Sequence, residues 1–472
     1  MDQALTFRTM GWSAALGAVL LLVPVGAVVA ADLEAVGYDT VQELQSEKRK
    51  QRKKAQKALI KAGDPSLVPG LVDSLFFIPR QQRAEALEVL EALTGANLGV
   101  RYFDWVEWVG AHPEIEPLDG YAQFKAELLS RIDPRYTEIL YEDAPARVRL
   151  TEVVWGGVRV DEIPTLMNPD TIPAGEAEYL GDGELVFGAS VEGEYRAYPL
   201  RIMDWHELLN DEIGGEPVAL SYCTLCRSGV LFRTRRADGG RIVFGTSGLL
   251  YRSNKLMFDH ETESLWSNLT GEPVVGKLAE DPVGLEVLPL TLTTWGEWRW
   301  RHPTTTVLDL EPLAFYYPFD YQPGAADEAR TGVSFPVWKK SNRLERNTEV
   351  YVLRFGGRAK AFVVEAALAA EVVNEEVGDL PVVLVADSRS GSIRAYERGE
   401  RSFRWNEDDQ LADDKGRIWS LTEEALTLTN GGGSVAPLNR LPGHVAFWFG
   451  WYGFYPDTEV WGDRLPPTLP EG

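Results

Sequence analysis

The strongest constraint on the fold of this chain is a tryptophan motif that occurs twice. Trp295-x-x-Trp298-x-x-x-His302-Pro303-x-Thr305-x-Val307 returns as Trp448-x-x-Trp451-x-x-x-Tyr455-Pro456-x-Thr458-x-Val460. Self-similarity of this kind marks a structural unit used more than once. Positions upstream correspond in the same order: Glu194–Tyr198 with Gly357–Phe362, His206–Asn210 with Glu371–Asn374, Glu216–Leu220 with Leu380–Leu384, and Ser264–Trp266 with Arg417–Trp419. Residues 180–308 and 345–461 therefore read as diverged copies of one β-rich unit. Trp105-x-x-Trp108-x-x-x-His112-Pro113 repeats the tryptophans a third time without the threonine tail, and is read as coincidence. The tryptophans of the two full motifs are assigned to the core.

The pattern along the chain predicts an α+β multidomain protein. Leu67, Leu71, Val72 and Leu75, then Ala84, Leu87, Leu90 and Leu93, fall at helical spacing between Gly63-Asp64-Pro65 and Gly95. Residues 32–135 are therefore predicted to be a helical, HEAT-like domain. Beyond about residue 150 the segments shorten and fill with Val, Tyr, Phe and Gly. Residues 150–310 and 311–472 are predicted as two tandem, diverged β-rich domains, barrel or sandwich-like. Hairpin signals include Glu192-Gly193 and Asp238-Gly239-Gly240.

Residues 1–31 read as a signal peptide: Arg8, the apolar run Leu16–Ala31, and small residues at Val28 and Ala30. The expected location is periplasmic or secreted. No later run approaches the ~18 apolar residues of a membrane span. A net charge of -24 argues against nucleic acid as a partner. The basic run Lys48–Lys54 is either a solvated helix face or a contact for a protein partner or anionic lipid.

The chain has two cysteines, Cys223 and Cys226, in one C-x-x-C turn between two predicted strands. A disulfide closing so short a loop gives only roughly 2 kcal/mol, so the pair points to chemistry rather than to stapling. The second copy has Asp387-Ser388-Arg389-Ser390 at this turn and Glu371 at the position of His206. The leading expectation is a metal site, zinc or copper, held by Cys223, Cys226, His206 and His260, with Met257 as a soft donor. The alternatives are thiol–disulfide redox chemistry, an inert Cys223–Cys226 disulfide, and a non-catalytic envelope module that binds a partner through its helical region. Asn210, Ser247 and Asp259 are further polar candidates. Asp259 either pairs with His260 as acid and base or caps its own turn.

Several motifs fall in a fixed order. They are Ile163-Pro164-x-Leu166-x-Asn168-Pro169, Ala197-Tyr198-Pro199-Leu200, Trp205-His206-Glu207-x-x-Asn210-Asp211 and Tyr222-Cys223-x-x-Cys226, then Phe244-Gly245-x-Ser247-Gly248, Asp259-x-x-Thr262-x-Ser264-x-Trp266 and Thr270-Gly271-Glu272. Together they resemble the domain-of-unknown-function 3179 family of bacteria and archaea, over roughly residues 150–461. The resemblance implies an exported or envelope protein and carries no activity. Thr224 stands where that family usually shows proline, which makes the cysteine turn less rigid.

Overall fold

From residue 36 to residue 139 the chain is mainly helical. In the computed structural model, residues 36–329, 335–406, 410–429 and 435–463 are described, and the signal segment expected over residues 1–31 lies outside them. Helices Arg49–Ala62 and Ala84–Thr94 end on Gly63 and Gly95, both in the left-handed region (φ 62° and 71°). Glycine is favoured there because a Cβ would crowd the preceding carbonyl. Leu59, Leu67, Leu71 and Leu75 are fully buried. The buried stripe of Ala84–Thr94 is Ala86, Val89 and Leu90, so Ala84, Leu87 and Leu93 flank the core rather than form it. In the basic run, Lys48, Lys50 and Lys54 face solvent. Arg52 turns inward to Glu85 at 3.3 Å.

From residue 153 the chain forms sheets, and from residue 185 its strands come in an order that is then repeated. The first segment runs Leu185–Val191, Glu194–Pro199, helix Leu200–His206, Leu208–Ile213, Glu216–Cys223 and Ser228–Arg233. It closes with Leu290–Thr294, helix Trp295–Arg301 and Thr306–Leu308. The second runs Glu349–Phe355, Arg358–Val363, helix Val364–Ala370, Val372–Val377, Leu380–Asp387 and Ser392–Glu397, and closes with His444–Phe447, helix Trp448–Phe454 and Glu459–Trp461. In each, the opening hairpin takes an antiparallel strand on one edge and a parallel one on the other: 290–294 and 306–308 in the first, 444–447 and 459–461 in the second.

Side chains repeat along with the strands. Trp298 Nε1 donates to Thr305 Oγ1 and Trp451 Nε1 to Thr458 Oγ1, both at 2.9 Å. Trp266 and Trp419 donate to Asp259 and Asp413. Arg196 pairs with Asp211, and Lys360 with Glu375. The third tryptophan motif lies on helix Tyr102–Ala111, where Trp105 donates instead to Gly99 O.

Asn374 explains how the second segment closes. Its eight-stranded sheet begins with Val372–Val377 and ends with Phe403–Trp405. Asn374 donates to Phe403 O and accepts from Phe403 N, each at 2.7 Å, so the two edge strands are clasped and the sheet curls into a near-barrel. Clasping leaves fewer open strand edges. Asn210 makes the same pair of bonds to Phe244, at 2.9 Å each.

The register corrects one expected correspondence. Tyr222 N donates to Glu207 O and Ala386 N to Glu371 O, both at 2.7 Å. Glu371 therefore matches Glu207, with the same positive φ (59° and 57°), and Ala370 stands opposite His206. Cys223 pairs with Ser228 as Asp387 pairs with Ser392, so Cys226 corresponds to Ser390. No helix of the described residues is long and apolar enough to cross a membrane.

Candidate functional site

The cysteine turn is built by strand Glu216–Cys223 and closed by Ser228–Arg233. Cys226 N donates to Cys223 O at 3.2 Å, and Arg227 takes the positive φ (51°) that turns the chain back. Both thiols are free and buried, 1 % and 0 % exposed. Their wall comes from distant chain: Phe335, Val337, Phe447 and Phe449 pack with Leu225 around them. Phe447 N donates to Cys226 O at 2.8 Å. A Cβ on Gly450 would lie 2.9 Å from the Cys226 Cβ and 3.0 Å from its Sγ. Glycine at 450 is what lets helix Trp448–Phe454 lie against the turn.

Polar groups underlie the sulfurs. The Cys226 Sγ lies 2.9 Å from Ser253 O, so its one proton has that carbonyl and the Cys223 sulfur as alternative acceptors. The Ser253 hydroxyl holds Pro336 O at 2.6 Å. Lys255, on the next strand, is buried. Its Nζ donates to Glu207 O at 3.0 Å and lies 3.5 Å from the Glu207 carboxylate. Thr224 Oγ1 donates to the same carboxylate at 2.8 Å. Burial lowers the Lys255 pKa, against the pull of Glu207 and Cys223.

The two thiols are unequal. Burial pushes the Cys223 thiol up, but hydrogen bonding from Cys226, with the backbone N–H groups of Lys255 and Cys226, outweighs it and sets Cys223 below the usual thiol range. The Cys226 thiol is pushed well up by burial and by its neighbour Cys223. Of the two, Cys223 is the sulfur that gives up its proton more readily. A thiolate beside a thiol is the reactive arrangement of a dithiol, because the thiolate is the nucleophile.

The other candidates lie apart from this pair or serve the fold. His206 is fully buried and uses both ring nitrogens: Nδ1 meets Pro164 O at 2.7 Å and Nε2 meets the Tyr321 hydroxyl at 2.6 Å. It is a core histidine in this structure. His260 follows strand Asn254–Asp259 at the end remote from Lys255. At a rise of ~3.3 Å per residue that is roughly 15–20 Å away. Its Nε2 lies 4.0 Å from Asp161. Asp259 caps its own turn, accepting from Glu261 N, Thr262 N and Trp266 Nε1. Ser247 donates to Leu256 O, and Asn210 is the clasp described above. Met257 packs among Phe244 and Trp266. Among the described residues no three His, Cys, Asp or Glu side chains form a group that could hold a metal ion. A zinc or copper reading would rest on two thiolates alone.

Lys255, Glu207 and Ser253 were not singled out from the sequence. The signal available for Lys255 was a lysine opening the otherwise apolar strand Lys255-Leu256-Met257-Phe258.

The buried histidines give the fold a pH dependence. Burial lowers His206 and His444 from 6.5 to about 4. Their neutral forms stabilise the fold fully above the unfolded value of 6.5, and that stability is lost as pH falls toward the folded value. Urea unfolding should show His206 contributing a loss of about 2–3 kcal/mol between pH 7 and pH 4.5. In His206→Gln this share of the fall should vanish; an unchanged pH profile would contradict it.

Fold and site together define an α+β protein whose first sheet segment carries a buried dithiol under a roof supplied by Phe335 and Val337 and by the second segment. A family model described as "Protein of unknown function (DUF3179)" matches residues 160–458, and the chain belongs to that family. No curated protein and no solved structure matches it.

Proposed function

We propose that this is an exported thiol–disulfide redox protein whose reacting pair is Cys223 and Cys226. The observation that carries the reading is the pair of free, buried thiols on one turn, with Cys226 Sγ 2.9 Å from Ser253 O and the buried Lys255–Glu207 pair behind them. The lower of the two thiol pKa values falls on Cys223. Exchange requires the side chains that bury the pair to move aside; the Cys223 thiolate then attacks one sulfur of an incoming disulfide and expels the other as a thiolate. Cys226 gives its proton to that leaving group and attacks Cys223. That attack expels the second sulfur as a thiolate, which takes a proton from water. The product is a Cys223–Cys226 disulfide and two free thiols, so two electrons have passed to the incoming disulfide. The apolar run Leu16–Ala31 supports export, which would place the pair in an oxidising compartment.

We further read the two sheet segments as diverged copies of one domain. The repeated Trp–Thr, Trp–Asp and Asn–backbone bonds support this. Only the first copy has thiols on its turn. The helical region, read as a HEAT-like array, serves to hold the roof: Glu107 accepts from Val337 N at 3.0 Å.

The test is a redox titration in glutathione buffers, quenched by alkylation and read by mass. Conversion of dithiol to disulfide in one two-electron step is expected. A pair that stays reduced throughout would overturn the reading. So would stoichiometric zinc or copper in the purified protein that is lost in Cys223→Ser.

A further inference from the structure

A cleft of about 360 Å³ lies on the outer side of the thiols' wall. Val337 and Phe449 line it, and the same two side chains pack on Cys223 and Cys226. Its other side carries Lys339, Lys340 and Arg346 against one carboxylate, Glu107. Lys340 is engaged by Glu107 at 2.7 Å. Among the described residues Arg346 has no carboxylate partner. Its guanidinium is held instead between two rings, 4.9 Å from the centroid of Phe335 and 4.8 Å from that of Phe449. Such stacking fixes the plane of a guanidinium and leaves its edge N–H groups free for a carboxylate. Arg346 also acts electrostatically on Cys226. Three cations in one cleft stand out in a chain of net charge -24.

We infer that this cleft binds the anionic end of a small, carboxylate-bearing disulfide or thiol, with Arg346 as the residue that selects it. The inference rests on the redox reading above. The cations hold the carboxylates while the sulfur end lies toward the Val337–Phe449 wall. The protein pair supplies two electrons and its one proton, and the small disulfide leaves as one thiol and one thiolate, which takes its proton from water. Neutral disulfides lack the group that Arg346 grips.

Two measurements test it. The first compares oxidation of the reduced protein by glutathione disulfide and by the neutral 2-hydroxyethyl disulfide. Arg346→Gln should slow the former about tenfold, the weight of one charge-assisted hydrogen bond, and leave the latter unchanged. Raising salt on the unmutated protein should slow only the glutathione reaction, which keeps the test open if Arg346→Gln folds poorly. Equal effects on both disulfides, or on neither, would overturn the inference. The second is calorimetric binding of glutathione disulfide to the Cys223→Ser, Cys226→Ser double variant. Binding that Arg346→Gln weakens supports the cleft even if no disulfide oxidises the unmutated protein, a result that would sink the redox reading alone. Absence of binding would remove the cleft.

Discussion

Glu423→Ala should lower stability by about 3–5 kcal/mol, as removal of one partner from a buried ion cluster does. Glu423 is 6 % exposed, and four groups converge on it. Arg394 Nε lies 2.8 Å from its carboxylate, Thr291 donates at 2.8 Å, His302 Nε2 lies 3.4 Å away, and Arg440 completes the ring. Arg394 also reaches Glu297 at 3.1 Å. Burial pushes the Glu423 carboxyl up, but Arg394 and Arg440 outweigh it and hold it well below the usual carboxylate range. The charged form therefore stabilises the fold above a pH of about 4.5, and the contribution is lost as pH falls through the depressed folded value. Thr291, Glu297 and His302 come from the first sheet segment; Arg394, Glu423 and Arg440 come from the second. The alanine variant leaves Arg440 without a carboxylate and Arg394 with Glu297 alone, so the segments should loosen together. Glu423→Gln, which keeps the volume and loses the charge, should fall between. Tryptophan fluorescence in urea would read the loss; less than about 1 kcal/mol would mean that solvent already reaches the cluster.

Trp298→Ala should cost a similar amount, about 3–5 kcal/mol. Trp298 is fully buried, and a Cβ built on Gly188 would meet its ring at 2.2 Å. That contact explains the glycine in strand Leu185–Val191: the ring lies directly on the backbone. Removing the indole opens a large cavity and leaves Thr305 Oγ1 without the indole N–H. Trp451→Ala should cost about as much, since Trp451 is 1 % exposed and bonds Thr458 in the same way. Thermal unfolding of both variants would measure this. A loss confined to one would argue that the two motifs no longer do the same structural work.

What was legible in the sequence was local or repeated. The Trp–Thr motif marks its own hydrogen bond, and the glycine turns mark the hairpins. The cysteine turn sits between two strands, as the flanking Val, Leu and Phe residues indicate. The surroundings of His206 were not legible, because its partner Tyr321 is far along the chain in a stretch with no strong pattern. The match of Glu371 to His206 was one residue out, and the backbone bonds to Tyr222 N and Ala386 N set it right. The ion cluster was invisible for a general reason: Arg394, Glu423 and Arg440 each resemble surface residues until the fold buries them together. The roof over the thiols is equally non-local. Trp298 corresponds to Trp451, so Glu297 corresponds to Gly450; one reaches Arg394 while the other makes room for Cys226.

The unequal thiols can be tested by trapping. Glutathione disulfide is added to reduced Cys226→Ser and Cys223→Ser proteins, and the adducts are read by intact mass. Cys226→Ser should accumulate a stable mixed disulfide on Cys223, because the attacking thiolate remains and the resolving thiol is gone. Cys223→Ser should remain unmodified over the same time. Equal labelling of both variants, or none of either, would contradict the assignment of Cys223 as the nucleophile and Cys226 as its resolving partner.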